Sequence, residues 1–292
     1  MPMYCAFWHW DYVFMRLSLI ITTYNWPEAL RKVLDSVALQ SVTPFEVIIA
    51  DDGSNNLTRS LIEKYQPEFC CPLLHSWQED KGYRLALSRN RAINMSSGDY
   101  IVFIDGDTIL ERHFIHDHML AAEKGVFVQG RRAYLTESTS KRLLSNDELP
   151  HCLTHGVKHR DQAFRLPFLP AKYRRSYKQT LNRGVGGHCA FWRDDAIKVN
   201  GYNNDFEGWG PEDIEFLQRM FFSGLICKKL RFTAACYHIH HNINAKNFLE
   251  ECVAIYEQTV QKKEPFCERG INAITPLSAE DDYSVSPLAR AI

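Results

Sequence analysis

Short apolar runs alternate with amphipathic segments through the first half of the chain. The β-branched and aromatic character of these runs predicts buried strands at residues 17–23, 45–50, 73–77 and 100–104. The segments between them predict helices at residues 27–40, 57–65 and 82–95. Because strands that alternate with helices form parallel sheets, we expect an α/β fold with a parallel sheet and right-handed crossovers.

The pattern is less regular after residue 125. Further strands are predicted at residues 126–131, 190–192 and 230–237, and helices at residues 194–199 and 211–223. Segment 136–182 is polar and basic without a clear period, so we expect a long loop there. Its basic cluster from Lys172 to Lys178 is either solvated surface or a contact for an anionic acceptor or an anionic membrane surface. A mobile tail is expected after residue 262.

Composition and charge narrow the class of protein. The 292 residues are 45% hydrophobic and 24% charged, as in ordinary globular proteins, and the net charge of -1 gives no support for a nucleic-acid partner. Nine cysteines without a C-x-x-C pair argue against a disulfide framework or a structural zinc site and for a reducing compartment. No apolar run approaches the roughly 18 residues of a membrane span.

Residues 1–14 form an aromatic N-terminal extension before Met15. They carry neither a basic region nor a small-residue cleavage site, so we do not interpret them as a signal peptide. The extension either results from an upstream start codon, which we favour, or is an aromatic strip packed on the domain or on a membrane interface.

Acidic turns follow two of the predicted strands. Asp105 and Asp107 flank a glycine directly after the strand at 100–104, and Asp52 follows the strand at 45–50. In open α/β sheets, ligands bind at the carboxyl ends of the strands. Two carboxylates that leave a buried strand together repel each other, and a divalent cation relieves that repulsion. Hard oxygen ligands suit Mg²⁺ or Mn²⁺, although a solvated turn is the alternative explanation.

A second group of candidate residues lies later in the chain. Glu212 and Asp213 stand in the first turn of a predicted helix, where helix capping alone explains two acids. His238 and His240 alternate on a predicted strand and therefore share a face, which suits either a shared metal ion or polar packing. His241 is a third candidate, and the sequence leaves open which of the three binds a metal.

Five short motifs occur together in a characteristic order. They are Thr22-Thr23-Tyr24-Asn25, Asp51-Asp52-Gly53-Ser54, Gly82 with Arg84 and Arg89-Asn90-Arg91, Asp105-Gly106-Asp107, and Gly208-Trp209-Gly210-Pro211-Glu212-Asp213. This set resembles family 2 glycosyltransferases of the GT-A fold. The resemblance implies a Rossmann-like, nucleotide-binding α/β fold with a mixed, mainly parallel sheet flanked by helices. The last motif is similar to the GWG-x-ED segment of the galactosyltransferase-type C-terminal region of bacterial polymerases and lipopolysaccharide sugar transferases. The resemblance covers about residues 16 to 245.

The resemblance implies a role for each matched residue. Thr23 and Tyr24 would line the nucleotide pocket, Asp52 would accept a hydrogen bond from uracil, and Arg84 would lie near the sugar nucleotide. Asp105 would lie near the ribose and donor sugar. The remaining implied roles are metal binding for Asp107 and His238, with His240 as a further candidate, general base for Asp213, and contact with the donor and acceptor sugars for Trp209 and Glu212.

The implied activity is inverting transfer of a hexose from a UDP-sugar to a hydroxyl of a glycan or glycolipid acceptor, assisted by Mn²⁺ or Mg²⁺. The resemblance further implies lipopolysaccharide or capsule synthesis in the cytoplasm, with possible peripheral contact with the inner membrane. One alternative is a nucleotidyltransferase, although residues 23–27 lack the glycine-rich basic loop such enzymes usually carry. The other is a non-catalytic carbohydrate-binding protein, which would need no acids or metal.

On this basis the chain divides into five parts. The sequence predicts an extension at 1–14, a nucleotide-sugar-binding half at 15–135, a variable basic loop region at 136–182, an acceptor and catalytic half at 183–247, and a C-terminal helix and tail at 248–292.

Overall fold

A computed structural model describes residues 15–178, 187–242 and 249–274. Its strands are β1 (Leu17–Thr23), β2 (Glu46–Asp51), β3 (Leu73–Trp77), β4 (Tyr100–Asp105), β5 (Thr108–Leu110), β6 (Val126–Gln129), β7 (Ala133–Leu135), β8 (Val157–Lys158), β9 (Arg175–Lys178), β10 (His188–Trp192), β11 (Ile226–Leu230) and β12 (Cys236–His238). Its helices are α1 (Pro27–Ala38), α2 (Asn56–Tyr65), α3 (Leu85–Met95), α4 (Phe114–Ala121), α5 (Glu137–Leu144), α6 (Ala171–Arg174), α7 (Arg193–Lys198), α8 (Glu212–Phe222) and α9 (Glu250–Lys262).

Eight strands form the main sheet in the order β3-β2-β1-β4-β10-β6-β11-β9. Strands β3, β2, β1 and β4 are parallel, whereas β10 runs antiparallel to both β4 and β6. Successive residues of the central strands face opposite sides, and both sides are buried: Ile21 and Ile104 pack against α1 and α4, whereas Ile20 and Phe103 pack against α3 and α8. The predicted mixed, mainly parallel α/β sheet is confirmed.

The register of β1 brings the first acidic turns to one edge of this sheet. Thr22 pairs with Asp105 on β4, and Thr23 pairs with Asp51 on β2, so three neighbouring strands end at the same level. A Cβ at Gly106 would overlap the carbonyl oxygen of Thr22, which explains why glycine separates the two acids of this turn.

A smaller sheet with the order β5-β12-β7-β8 lies beside that edge. Its strand β12 pairs antiparallel with β5, which places His238 opposite Thr108 and next to Asp107. The single strand predicted at 230–237 is wrong. The chain turns between β11 and β12, where Phe232 and Ala234 have positive φ angles, and β12 ends at His238.

Two further expectations differ from the structure. Segment 136–178 is not one long loop, because it contains α5, β8, α6 and β9, while residues 179–182 lie outside the described residues. The chain after residue 262 also packs on the domain as far as residue 274: the Asn200 side chain donates to the carbonyl of Cys267 at 2.7 Å and accepts from the N–H of Asn272 at 3.0 Å. The N-terminal extension and residues 275–292 lie outside the described residues.

Two observations concern the cysteines and the helices. The eight cysteines within the described residues are free thiols. Over the same residues, every helix is too short or too polar to cross a membrane.

Candidate active site

Asp52 lies buried directly after β2. One of its carboxylate oxygens accepts the backbone N–H of Arg84 at 2.9 Å, and the other accepts from the Gln78 side-chain amide. Burial raises the pKa of Asp52 to about 6 against the opposing effect of these hydrogen bonds. The next residue, Gly53, has a φ of 97° and lies so close to Asp80 that a side chain would not fit. The carboxylate is therefore held rigidly at the strand end.

The other residues predicted at the nucleotide pocket surround Asp52. The carbonyl of Thr23 accepts the N–H of Asp52 at 3.1 Å, which joins the ends of β1 and β2. Tyr24 is half exposed, and its hydroxyl donates to Asp80 at 3.0 Å. The Arg84 guanidinium donates to the carbonyl of Glu79, so only the backbone of Arg84 contacts Asp52. The structure brings these predicted residues to one place.

Asp105 ends β4 and carries an ion pair that the sequence did not predict. Arg132, from the link between β6 and β7, donates from Nη1 to Asp105 Oδ2, and Thr22 Oγ1 donates to Asp105 Oδ1 at 3.4 Å. Burial opposes ionisation of Asp105, but the charges of Arg132 and Arg89 outweigh it and hold its pKa below the ordinary value. Asp105 is therefore a carboxylate within a positive environment.

Asp107, His238 and His241 form a compact group of three side chains. Asp107 Oδ2 lies 3.4 Å from His238 Nε2 and 3.2 Å from His241 Nε2, and one ligand atom from each residue lies within 4.8 Å of the others. Burial lowers the pKa of His238, whereas the hydrogen bond to Asp107 raises that of His241.

His240 is not part of this group. The sequence predicts His238 and His240 on one face because alternate residues of a strand share a face. Strand β12 ends at His238, however, so that alternation does not continue to His240. The backbone N–H of His240 instead donates to Ser140 Oγ at 2.8 Å. The three-residue spacing of His238 and His241, rather than a two-residue spacing, brings two imidazoles to the same carboxylate.

Glu212 and Asp213 begin α8 at the same edge of the sheet. Glu212 is almost completely buried and accepts from Arg89 Nη1 at 2.7 Å, while its second oxygen has no hydrogen-bond partner among the described residues. Burial raises the pKa of Glu212 to about 7, against the opposing charge of Arg89. Arg89 contacts Glu212 directly and has longer-range electrostatic interactions with Asp105 and Asp213.

The aromatic residues near α8 have different environments. Trp209 is partly buried, and its carbonyl accepts the N–H of Leu249 at 3.1 Å. Tyr202 is fully buried and stacks on Phe216 with ring centroids 4.2 Å apart, so it packs the core. Only Trp209 of this pair remains a candidate for stacking on a sugar.

Sequence reasoning missed Arg132 as a site residue and gave Arg89 no role of its own. Arg132 follows the strand predicted at 126–131, as the acids follow theirs, so its position at a strand end was a usable signal. Strand β6 is parallel to β4 because both are antiparallel to β10 between them. That relationship brings Arg132 to the same edge as Asp105, and no local pattern shows it.

Two curated proteins are similar to this chain in sequence. The sequence is 26% identical over 229 residues to "Chondroitin synthase" of Pasteurella multocida (strain Pm70), covering 71% of this chain and 23% of that protein. It is 28% identical over 260 residues to "Validoxylamine A glucosyltransferase" of Streptomyces hygroscopicus subsp. limoneus, covering 81% of this chain and 55% of that protein. The chain therefore spans less than two thirds of the length of these relatives.

Two solved structures share the fold. S. aureus TarS 1-349 in complex with UDP-GlcNAc superposes with a TM-score of 0.60 at 16% identity, covering 85% of this chain and 66% of that one. GalNAc-T7 with UDP, GalNAc and Mn²⁺ gives a TM-score of 0.61 at 13% identity, covering 85% and 48%. The protein thus has the GT-A fold.

The family follows from the extent of the sequence match. The pattern described as Glycosyl transferase family 2 matches residues 18–200, more than half of the 292 residues, and the pattern described as N-terminal domain of galactosyltransferase matches residues 168–242. The chain belongs to glycosyl transferase family 2. The motif from Gly208 to Asp213 lies within the second match.

Proposed function

We propose that the protein transfers a hexose from a UDP-sugar to an acceptor hydroxyl with inversion of the anomeric centre. Two observations carry this proposal: the compact Asp107 group, and the buried ion pair of Arg89 with Glu212 next to Asp213 at the start of α8. UDP and UDP-GlcNAc in the related structures support a uridine donor. A buried acceptor such as Asp52 suits the N–H of a uracil ring.

The Asp107 group fits a divalent cation. One carboxylate oxygen and two imidazole nitrogens lie close enough to share an ion, so Asp107, His238 and His241 would hold it. Two nitrogen donors favour Mn²⁺ over Mg²⁺, which prefers oxygen ligands. Such an ion would supply Lewis-acid stabilisation of the charge on the diphosphate leaving group.

The chain's own residues supply the rest of the proposed mechanism. The acceptor hydroxyl must lose its proton as it attacks the anomeric carbon, and Asp213 takes that proton as general base. The base and the leaving group then lie on opposite faces of the donor sugar, so a single displacement inverts the anomeric centre. Glu212 presents its unpartnered oxygen to a sugar hydroxyl, and Trp209 stacks on a sugar face.

The acceptor is a glycan or glycolipid in this proposal, as expected of a transferase of lipopolysaccharide or capsule synthesis. The chondroitin synthase relative supports a glycan acceptor. Exposed Lys172, Arg175 and Lys178 lie near Phe168 and Tyr173, whose side chains are 77% and 53% exposed. This basic and aromatic surface supports peripheral contact with an anionic membrane, and the free cysteines suit the cytoplasm.

A donor screen tests the proposed function directly. Binding and hydrolysis of UDP-hexoses and UDP-N-acetylhexosamines are measured with and without Mn²⁺, with the matching GDP-sugars as controls. We expect at least one UDP-sugar to bind more tightly with Mn²⁺ and to be hydrolysed slowly. Absence of UDP-sugar binding under both conditions would refute the donor assignment.

A further inference from the structure

We infer that Arg132 binds the diphosphate of the donor and, with the divalent cation, neutralises the charge of the leaving group. This inference rests on the proposed function. Arg132 stands between β6 and β7 and thus links the main sheet to the smaller one. Its guanidinium pairs with Asp105, which ends β4, and interacts electrostatically with Asp107 of the Asp107 group.

The Arg132 side chain is held in place but has donors to spare. It is 12% exposed, and Nη1 donates to Asp105 Oδ2 and lies 3.4 Å from the carbonyl oxygen of Gly187. Its Nε is buried and has no hydrogen-bond partner within the part of the chain that the structure describes. A buried donor without a partner is costly, and a ligand oxygen would relieve that cost.

The charges at this edge require an additional cation. Asp105 and Asp107 carry two negative charges, and both interact with Arg132. A divalent ion would only offset these two carboxylates and would leave no net attraction for a diphosphate. Arg89 does not supply the difference, since Glu212 already pairs with it. Arg132 adds a positive charge beside these two carboxylates, which the ion alone does not supply.

The backbone around Arg132 is built to accept a guanidinium. A Cβ at Gly187 would overlap both Asp105 Oδ2 and Arg132 Nη1, so only glycine lets this ion pair lie against the chain. The planar guanidinium can hold a carboxylate through one nitrogen and a phosphate through the others, whereas a lysine ammonium lacks this fork. An arginine at this position therefore connects the diphosphate to the residue proposed beside the ribose.

The test compares the affinities of UDP and uridine for Arg132→Met and wild type, by titration calorimetry with and without Mn²⁺. We expect R132M to lose about tenfold in UDP affinity and to bind uridine almost as wild type does. The matched control is Arg131→Met, because Arg131 is an exposed neighbour that pairs with Asp161 at 3.3 Å. R131M should bind both ligands normally.

Two results would overturn the inference. Equal losses of UDP and uridine affinity would make Arg132 a structural support for Asp105, and an unchanged UDP affinity would remove it from the site. If R132M does not fold, Arg132→Gln replaces it, because glutamine keeps a donor for Asp105 but loses the charge; an unchanged ratio of UDP to uridine affinity in R132Q overturns the inference equally. Failure of the wild type to bind UDP would refute the proposed function instead, so the two failures are distinguishable.

Discussion

Arg89 Nη1 donates a 2.7 Å hydrogen bond to Glu212 Oε1, and the two side chains are only 4% and 5% exposed. The pair joins α3, which follows β3, to the first turn of α8, which carries Asp213. Arg89 also lies over the ring of buried Tyr202, 5.1 Å from its centroid. One buried guanidinium thus fixes the position of the proposed base relative to the donor side of the site.

Removal of this guanidinium should destabilise the fold strongly. Arg89→Met leaves Glu212 buried without its partner, and breaking a buried ion pair from one side costs about 3–5 kcal/mol. We expect that loss in the free energy of unfolding measured by urea denaturation near neutral pH. The double variant R89M/E212Q should recover part of it, because a neutral amide is less costly to bury than an unpaired charge.

Arg16 provides the matched control for that experiment. It pairs with Asp99 at 3.0 Å, but the two side chains are 50% and 41% exposed. Arg16→Met should therefore have little effect on the free energy of unfolding. A similarly small loss for R89M would contradict the buried role assigned to Arg89.

Replacement of the proposed base should separate binding from chemistry. Asp213→Asn keeps the shape of the side chain but cannot take the acceptor proton, so transfer should fall by roughly 10²–10⁴-fold. UDP affinity should stay within a factor of about two, since the base contacts the acceptor rather than the nucleotide. The measurements are the transfer rate and UDP titration on the same preparation. Equal losses in both would make Asp213 a structural residue.

The local sequence was enough to predict the acidic turns. An acid directly after a buried strand must lie at the end of that strand, whichever strands pair with it. Asp52, Asp105 and Asp107 were found in this way. The sequence could not identify His241 as the second histidine of the Asp107 group, since that assignment depends on β12 ending at His238. Arg132 could not be paired with Asp105, since that contact depends on the order of β4, β10 and β6 in the sheet.

The secondary structure of segment 136–178 also depends on distant contacts that the local sequence does not show. Its helix α5 is only eight residues long, and Thr139, Ser140 and Leu143 are its buried residues. Because two of these are polar, the helix has no apolar stripe for a periodicity argument to detect. Its burial comes from contact with α1 and from a carbonyl of a distant loop, His155, to which Thr139 donates at 2.9 Å.

The choice between neighbouring histidines is testable by substitution. His241→Ala removes one of three proposed ligands and should weaken Mn²⁺ binding by at least about 10–100-fold, the loss typical of changing even an indirect partner of a metal ligand. His240→Ala, one residue away, should bind Mn²⁺ as wild type does. Mn²⁺ binding is measured by electron paramagnetic resonance in the absence of nucleotide. A larger loss for H240A than for H241A would contradict the assignment.

The basic and aromatic surface should bind anionic vesicles. Lys172 and Arg175 form no ion pair with any residue that the structure describes, so both charges are available to a bilayer. Each basic residue near an anionic surface contributes about 1 kcal/mol, so Lys172→Ala with Arg175→Ala should weaken binding by about 30-fold. Sedimentation with phosphatidylglycerol vesicles measures this, with phosphatidylcholine vesicles and Lys64→Ala as controls. Undiminished binding of the double variant would exclude this surface.

The raised pKa of Asp52 predicts opposite pH trends for stability and for nucleoside binding. Its pKa is about 6 in the folded chain against 3.8 for an unperturbed aspartate. Between these values the folded state holds a proton that the unfolded state has lost, so stability falls as the pH rises through this window. Asp52→Asn should remove that dependence and stabilise the protein near neutral pH, by about 3 kcal/mol at most.

Uridine affinity should increase as the pH rises, whereas stability decreases. The uracil N–H donates more strongly to an ionised carboxylate than to a carboxylic acid, so wild-type affinity should weaken as the pH falls below about 6 while the fold becomes more stable. Uridine is preferred to UDP here because it has no phosphate that titrates in the same range. Asp52→Asn should bind uridine more weakly and independently of pH. A wild-type affinity that stays constant between about pH 5 and about pH 8 would separate Asp52 from base recognition.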